Sequence, residues 1–163
     1  MESHTIAMHS GGVESAYRRY RLAVFNYLRR CGAPREAAEE LMQSTFIVLL
    51  EKPHRYDSNR GPLLPFLIGV ARTLRLAWLR RATLEATDRA TAAPSMDEST
   101  GTIADVRAAV LELPDEFRES LVLREFHGFT YQEIAELQGI PVGTVRSRLA
   151  RARDLLRVRL KGE

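Results

Sequence analysis

The stretch that decides the fold is residues 129–153, FTYQEIAELQGIPVGTVRSRLARAR. Thr130 and Glu133 stand at capping-box spacing, in which each side chain accepts a backbone N–H left open at a helix start. A helix therefore starts at Thr130. Ile134, Ala135 and Leu137 give it an apolar face, and Gly139 stands where a left-handed residue ends it after little more than two turns. Pro141 suits the opening of a second helix. Two short helices joined by a tight Gly-containing turn make a helix-turn-helix, whose second helix is the one placed to enter a DNA major groove.

That second helix divides by angle. At 100° per residue Val145, Leu149, Ala152 and Leu156 fall within about 60° of one another and form a core-facing stripe. The opposite side carries Thr144, Ser147 and Arg151, flanked by Arg146 and Arg148. Arginine can bond two acceptors on guanine, Ser and Thr adapt to several base edges, and either kind can hold phosphate. An ordinary hairpin with a solvated arginine face would share this pattern, but the charge distribution argues against it. Residues 141–163 hold seven Arg/Lys against two acids, whereas residues 112–139 hold two against seven. A sign change that sharp within one small domain points to a face built for phosphate.

Length and composition bound the rest. The chain of 163 residues is long enough for one domain or two small ones, and 45% hydrophobic with 28% charged residues is a globular composition. Net charge is a mild +3. Cys31 is the single cysteine, so an internal disulfide is impossible, and a thiolate zinc site is not expected. His4, His9, His54 and His127 show no ligand spacing. No run approaches the ~20 apolar residues of a membrane span, and no apolar signal-peptide core stands at the N-terminus. A cytoplasmic protein without membrane insertion, metal or cofactor is expected.

The remaining chain reads as helices. Residues 1–12 are polar and Gly-containing and are expected to form a disordered tail. Tyr17, Tyr20, Val24, Tyr27, Leu28 and Cys31 recur at threes and fours, which predicts a helix from Val13 ended by Gly32. Pro34 opens a second, to about Lys52, with Ala38, Leu41, Met42, Thr45, Phe46, Leu49 and Leu50 inward. Residues 53–65 form a loop, and a third helix from about Leu64 to Glu85 is apolar around most of its circumference, which predicts a central place in its bundle. Residues 86–101, ATDRATAAPSMDESTG, have the composition of a linker. Thr102 caps a helix over Ile103–Leu113, and Pro114 opens another across Asp115–His127. The expected fold is all-α: two small helical domains, 13–85 and 102–163, joined by a flexible linker over 86–101.

With both halves assembled, the chain resembles the extracytoplasmic-function (ECF) sigma factors of the sigma-70 family. LPDEFRESLVLREFHGFTYQEIAELQGIPVGTVRSRLARAR follows that family's region 4, and EAAEELMQSTF, RYDSNRG and FLIGVARTLRLAWLRR follow region 2 in order and spacing. The resemblance implies core RNA polymerase and promoter DNA as partners, and commonly an anti-sigma factor. It implies a polymerase contact through Glu40, Leu41 and Gln43, and −10 element binding through Tyr56, Asp57, Asn59, Arg60, Arg72, Arg75 and Arg80. Aromatic rings with arginines suit single-stranded DNA, since stacking contributes about 1–3 kcal/mol per base. On the same resemblance, Thr144, Arg146, Ser147, Arg148 and Arg151 meet the −35 element.

The chain departs from the family pattern at four positions. The pattern usually has Trp where Phe66 stands, Asn at Thr73, Asp at Ala77 and an acid at Ser44. Thr73 and Ala77 thus remove polar groups from the helix implied in −10 recognition. Neither half offers an activated nucleophile or a phosphate-cradling Gly loop, so an addressing role rather than an enzyme is expected. Sixteen linker residues reach at most about 55 Å, enough for two boxes one to two helical turns apart. A stand-alone helix-turn-helix regulator that works without polymerase is the alternative, and a helical protein that mainly binds a regulator is a third reading.

Overall fold

The computed structural model describes residues 10–86 and 102–162. They fall into two compact units, one within Met1–Leu28 and Ala33–Ala93, the other within Arg29–Gly32 and Pro94–Glu163. Every regular element among the described residues is helical. No helix among them is long and apolar enough to cross a membrane.

The N-terminal unit contains α1 (Ser10–Arg30) as far as Leu28, α2 (Arg35–Glu51), a 3-10 turn (Pro53–Arg55) and α3 (Leu63–Ala86). The first helix opens three residues before the expected Val13. Val13 and Ala16 are buried and anchor its first turns, and residues ahead of them need no apolar side chain to continue the backbone pattern. At its other end Gly32 takes φ 98°, and the Ala33 N–H donates to the Leu28 carbonyl at 3.0 Å. That left-handed residue stops the helix and returns the chain into α2.

The core of this unit is built from Val24, Tyr27 and Leu28 of α1, Ala38 and Leu49 of α2, and Leu67, Ile68 and Ala71 of α3, all fully buried. Thr45 is buried as well, its hydroxyl donating to the Leu41 carbonyl at 2.8 Å. The rings of Tyr17 and Phe46 meet edge to face at 5.1 Å and join α1 to α2. The third helix buries a stripe rather than its whole girth. Leu74, Leu76, Trp78 and Leu79 are only half-buried, as is Phe66.

The C-terminal unit contains α4 (Thr102–Glu112), α5 (Asp115–Leu121), a π-helical turn (Val122–Phe126), α6 (Tyr131–Gln138) and α7 (Val142–Lys161). The expected single helix over Asp115–His127 is thus interrupted. Glu119, Ser120, Leu121, Val122 and Leu123 are five consecutive buried residues, more than one face of a regular helix holds, and the wider π turn begins within that run at Val122. The Arg118 guanidinium donates to the Leu111 and Leu113 carbonyls at 2.8 and 2.7 Å, closing the end of α4 onto α5.

The expected linker over 86–101 lies outside the described residues except for Ala86, which ends α3. The expected tail over 1–12 likewise lies outside them except for residues 10–12, which open α1.

Candidate nucleic-acid interface

The helix-turn-helix is assembled by local chemistry. Thr130 Oγ1 accepts the Glu133 N–H at 3.1 Å while Glu133 Oε1 accepts the Thr130 N–H at 3.3 Å, the reciprocal box that starts α6. Gly139 takes φ 65° and ψ 38°, a left-handed conformation that a side chain would strain, and the chain turns there. Pro141 sits one place earlier than expected, as the cap of α7 rather than its first residue. Its carbonyl accepts the N–H groups of Thr144 and Val145 at 3.0 and 3.2 Å.

Val145, Leu149 and Ala152 are fully buried and seat α7 against α5 and α6, while Leu156 is half-buried. The residues expected to face a groove lie outside that stripe. Arg146, Ser147 and Arg151 are exposed and Thr144 is half-buried, together covering about 160° of arc at 100° per residue. Ser147 donates its hydroxyl to the Thr144 carbonyl at 2.9 Å, which leaves its oxygen free to accept.

The arginines of α7 are not equivalent. Arg148 pairs with Glu116 at 3.4 Å with its side chain 21% exposed, Arg153 with Glu125 at 2.7 Å, Arg157 with Asp154 at 2.9 Å, and Arg159 with Glu112 at 2.7 Å. The hydrogen bonds of Arg153 to Glu125 and then Tyr131 push its pKa further up. Among the described residues Arg146 and Arg151 make no ion pair, and both are exposed, Arg151 on the side opposite the buried stripe and Arg146 on its flank. A guanidinium without a carboxylate keeps its donors and its whole charge for an outside acceptor. Arg148 is the weakest member of the expected set, because Glu116 already offsets it.

One further pair was not singled out from the sequence. Arg124 lies over the Tyr131 ring at 5.1 Å at the start of α6 and donates to the Phe129 carbonyl at 3.0 Å. Only the fold brings them together, so no local pattern marked them.

In the N-terminal unit the expected −10 residues separate into distinct environments. Tyr56 is half-buried against Phe66, with ring centroids 5.4 Å apart, and its hydroxyl donates to the Gly61 carbonyl at 3.1 Å. Burial, then the nearby Tyr20 and Asp57, hold its phenol above the ordinary range. Asp57 shapes the turn, its Oδ1 accepting the Asn59 N–H at 2.9 Å and its carbonyl accepting the Arg60 N–H at 3.0 Å. Asn59, Arg60 and Arg80 are exposed, and Arg72 is half-buried. Thr73, also exposed, donates its hydroxyl to the Gly69 carbonyl at 3.1 Å.

Two expectations need correction. Arg75 is 1% exposed and does not lie on the surface where a DNA strand would run. At 100° per residue it falls within about 80° of Leu67 and Ala71, so it continues the buried stripe of α3. Leu41 is 8% exposed and packs in the core with Ala38, Thr45 and Leu49. It supports α2 from inside.

The outer face of α2 differs from the expected contact in a second way. Leu50, placed inward by the sequence reading, is 51% exposed, and Ile47 is 50% exposed. With the exposed Glu40 and Gln43 they occupy about 80° of arc. An acid, an amide and two aliphatic side chains thus share one open strip, a mixed surface of the kind that docks on protein.

Comparison with known proteins completes the description. Residues 16–85 match the family described as Sigma-70 region 2, and residues 103–156 match Sigma-70, region 4. The ECF RNA polymerase sigma factor SigE of Mycolicibacterium smegmatis is 34% identical over 158 residues, covering 88% of this chain and 58% of that protein. The ECF RNA polymerase sigma factor RpoE of Cereibacter sphaeroides is 27% identical over 142 residues, covering 82% of this chain and 78% of its own length. The chain therefore spans little more than half of the first of these relatives. Among solved structures, the sigma factor RpoE bound to the anti-sigma factor NepR, from Bartonella quintana, has the same fold. Its TM-score is 0.81 at 23% identity, covering 91% of this chain and 96% of that one.

Proposed function

Since the chain belongs to the sigma-70 family, as a factor of the ECF type, we propose that it directs core RNA polymerase to its promoters and aids initiation by binding two separate elements. In this reading α7 enters the −35 major groove with Thr144, Arg146, Ser147 and Arg151 toward base edges. Arg148 serves the backbone more than the bases. The start of α6, with Arg124 and Tyr131 beside it, meets phosphate, since helix N-termini and arginines commonly hold a duplex in register.

The N-terminal unit takes the −10 strand through Tyr56, Asn59 and Arg60, with Arg72 and Arg80 along the strand backbone and Asp57 shaping the loop. The strip of Glu40, Gln43, Ile47 and Leu50 docks on polymerase. RNA synthesis itself belongs to the polymerase, which places the protein in the cytoplasm. An anti-sigma protein is the expected regulator, as one is bound to the Bartonella quintana factor of the same fold. Each unit alone holds DNA weakly, and joining both to one enzyme raises the effective concentration of the second contact.

The observation that carries this reading is the segregation of charge on α7: four of its arginines are matched by acids, and the two that are not are exposed and lie outside the buried stripe. The test is transcription reconstituted from purified chain, core polymerase and a pool of double-stranded promoters. Initiation that depends on the chain and selects two spaced boxes supports the reading. A chain that binds duplex DNA but never associates with core polymerase would instead be a stand-alone regulator.

A further inference from the structure

Among the described residues, the buried part of the C-terminal unit is apolar except for two neighbours on α5, Glu119 and Ser120, which are 3% and 0% exposed. Both reach the same side chain. Gln138, the last residue of α6, donates from Nε2 to Glu119 Oε2 at 3.0 Å. Ser120 Oγ points its hydrogen toward Gln138 Oε1 at 3.1 Å, sharing it with the Glu116 carbonyl at 3.1 Å. The amide is thereby held at both ends, nitrogen and oxygen in a defined orientation.

Its place in the chain gives that orientation a consequence. Gln138 directly precedes Gly139, the left-handed residue from which the chain turns toward α7. On the same face of α5, Glu116 accepts from Arg148 of α7 at 3.4 Å. Glu116, Glu119 and Ser120 are spaced i, i+3 and i+4, so one edge of α5 grips both helices of the motif. An aliphatic side chain at 138 would fill similar space, but van der Waals contact tolerates sliding. Hydrogen bonds weaken steeply away from their preferred distance and angle, so a doubly held amide fixes a register.

We infer that Gln138 is a positioning residue for base recognition: its bridge to Glu119 and Ser120 sets the angle at which α7 leaves the turn, and so aligns Thr144, Arg146, Ser147 and Arg151 with base edges. The inference rests on the reading of α7 as the −35 helix. Breaking the bridge leaves every arginine in place. Affinity for unrelated duplex DNA, which follows phosphate neutralisation, is retained, while base readout, which needs directional contacts, is lost.

The experiment reconstitutes holoenzyme from the full chain and core polymerase and offers it double-stranded promoters randomised over the upstream box. Sequences are counted before and after selection. The unsubstituted chain enriches one upstream motif. With Gln138→Leu the enrichment falls about tenfold, the worth of one aligned base contact, while the variant stays folded at the assay temperature and its affinity for unrelated DNA stays as it was. Ser120→Ala, which removes one hydroxyl from a filled core, lowers enrichment in the same direction by a smaller factor. Equal enrichment by folded variants overturns the inference. So does a loss of specific and unrelated affinity in step, which would make the bridge structural only. If the unsubstituted chain enriches no upstream motif, the reading of α7 itself fails and the inference goes with it.

Discussion

Removing one arginine from α7 lowers the formal charge equally wherever it is done, yet the structure predicts unequal results. Arg151 is exposed and makes no ion pair among the described residues, whereas Arg157, six residues on, donates to Asp154 at 2.9 Å. If Arg151 reads a base, Arg151→Ala costs about 1–3 kcal/mol, or roughly 5- to 150-fold in affinity for the promoter. If it holds a phosphate, the loss is the same on every sequence, and the slope of log affinity against log salt falls by about 0.9. Arg157→Ala removes a charge already matched at the surface and should change affinity less than about twofold. The assay is holoenzyme binding to promoter and unrelated duplexes across a salt series. Equal losses from the two substitutions would refute the argument that carboxylate pairing decides which arginines act.

Three other substitutions test the remaining parts. Leu149 is fully buried, so Leu149→Ala should cost about 2–5 kcal/mol and lower the melting temperature of the C-terminal unit by about 10 °C or more; a fall under about 3 °C would mean that α7 is not seated by its apolar stripe. Glu40→Ala with Gln43→Ala should weaken capture of core polymerase and leave DNA binding by the C-terminal unit unchanged, and unaltered capture would remove α2 from the docking surface. Tyr56 has its phenol pKa raised, chiefly by burial, so the neutral form that bonds Gly61 is the one the fold favours. A raised folded-state value means that this contribution is complete below the ordinary phenol range near ~10 and is lost as pH climbs through the folded value. Tyr56→Phe should therefore remove a component of the phenolate absorbance that titrates above the ordinary phenol range, and an unchanged titration curve would contradict the burial.

The helix-turn-helix was legible because its determinants are local. Thr130 and Glu133 are three residues apart, Gly139 makes its own turn, and the stripe of Val145, Leu149 and Ala152 follows from helical angle alone. The burial of Arg75 follows from helical angle, since it continues the stripe of Leu67 and Ala71, although an arginine by composition points outward. Helical periodicity turns Leu41 inward, in keeping with its burial, whereas the family resemblance alone implies a contact outward.

What could not be read from the sequence depends on distant partners. Arg148, Arg153 and Arg159 find their acids 32, 28 and 47 residues away, so no local pattern separates them from Arg146 and Arg151. The π turn after α5 likewise accompanies a run of five buried residues, 119–123, whose burial depends on helices packed from elsewhere in the chain. Gln138 looked like any polar residue at a helix end until Glu119 and Ser120 were found against it.

The most direct measurement is a hydroxyl-radical footprint of the reconstituted holoenzyme on a promoter it transcribes. Two protected boxes should be seen, and Arg146→Ala with Arg151→Ala should erase the upstream one while polymerase remains bound. A single protected box, or upstream protection indifferent to both substitutions, would contradict the account.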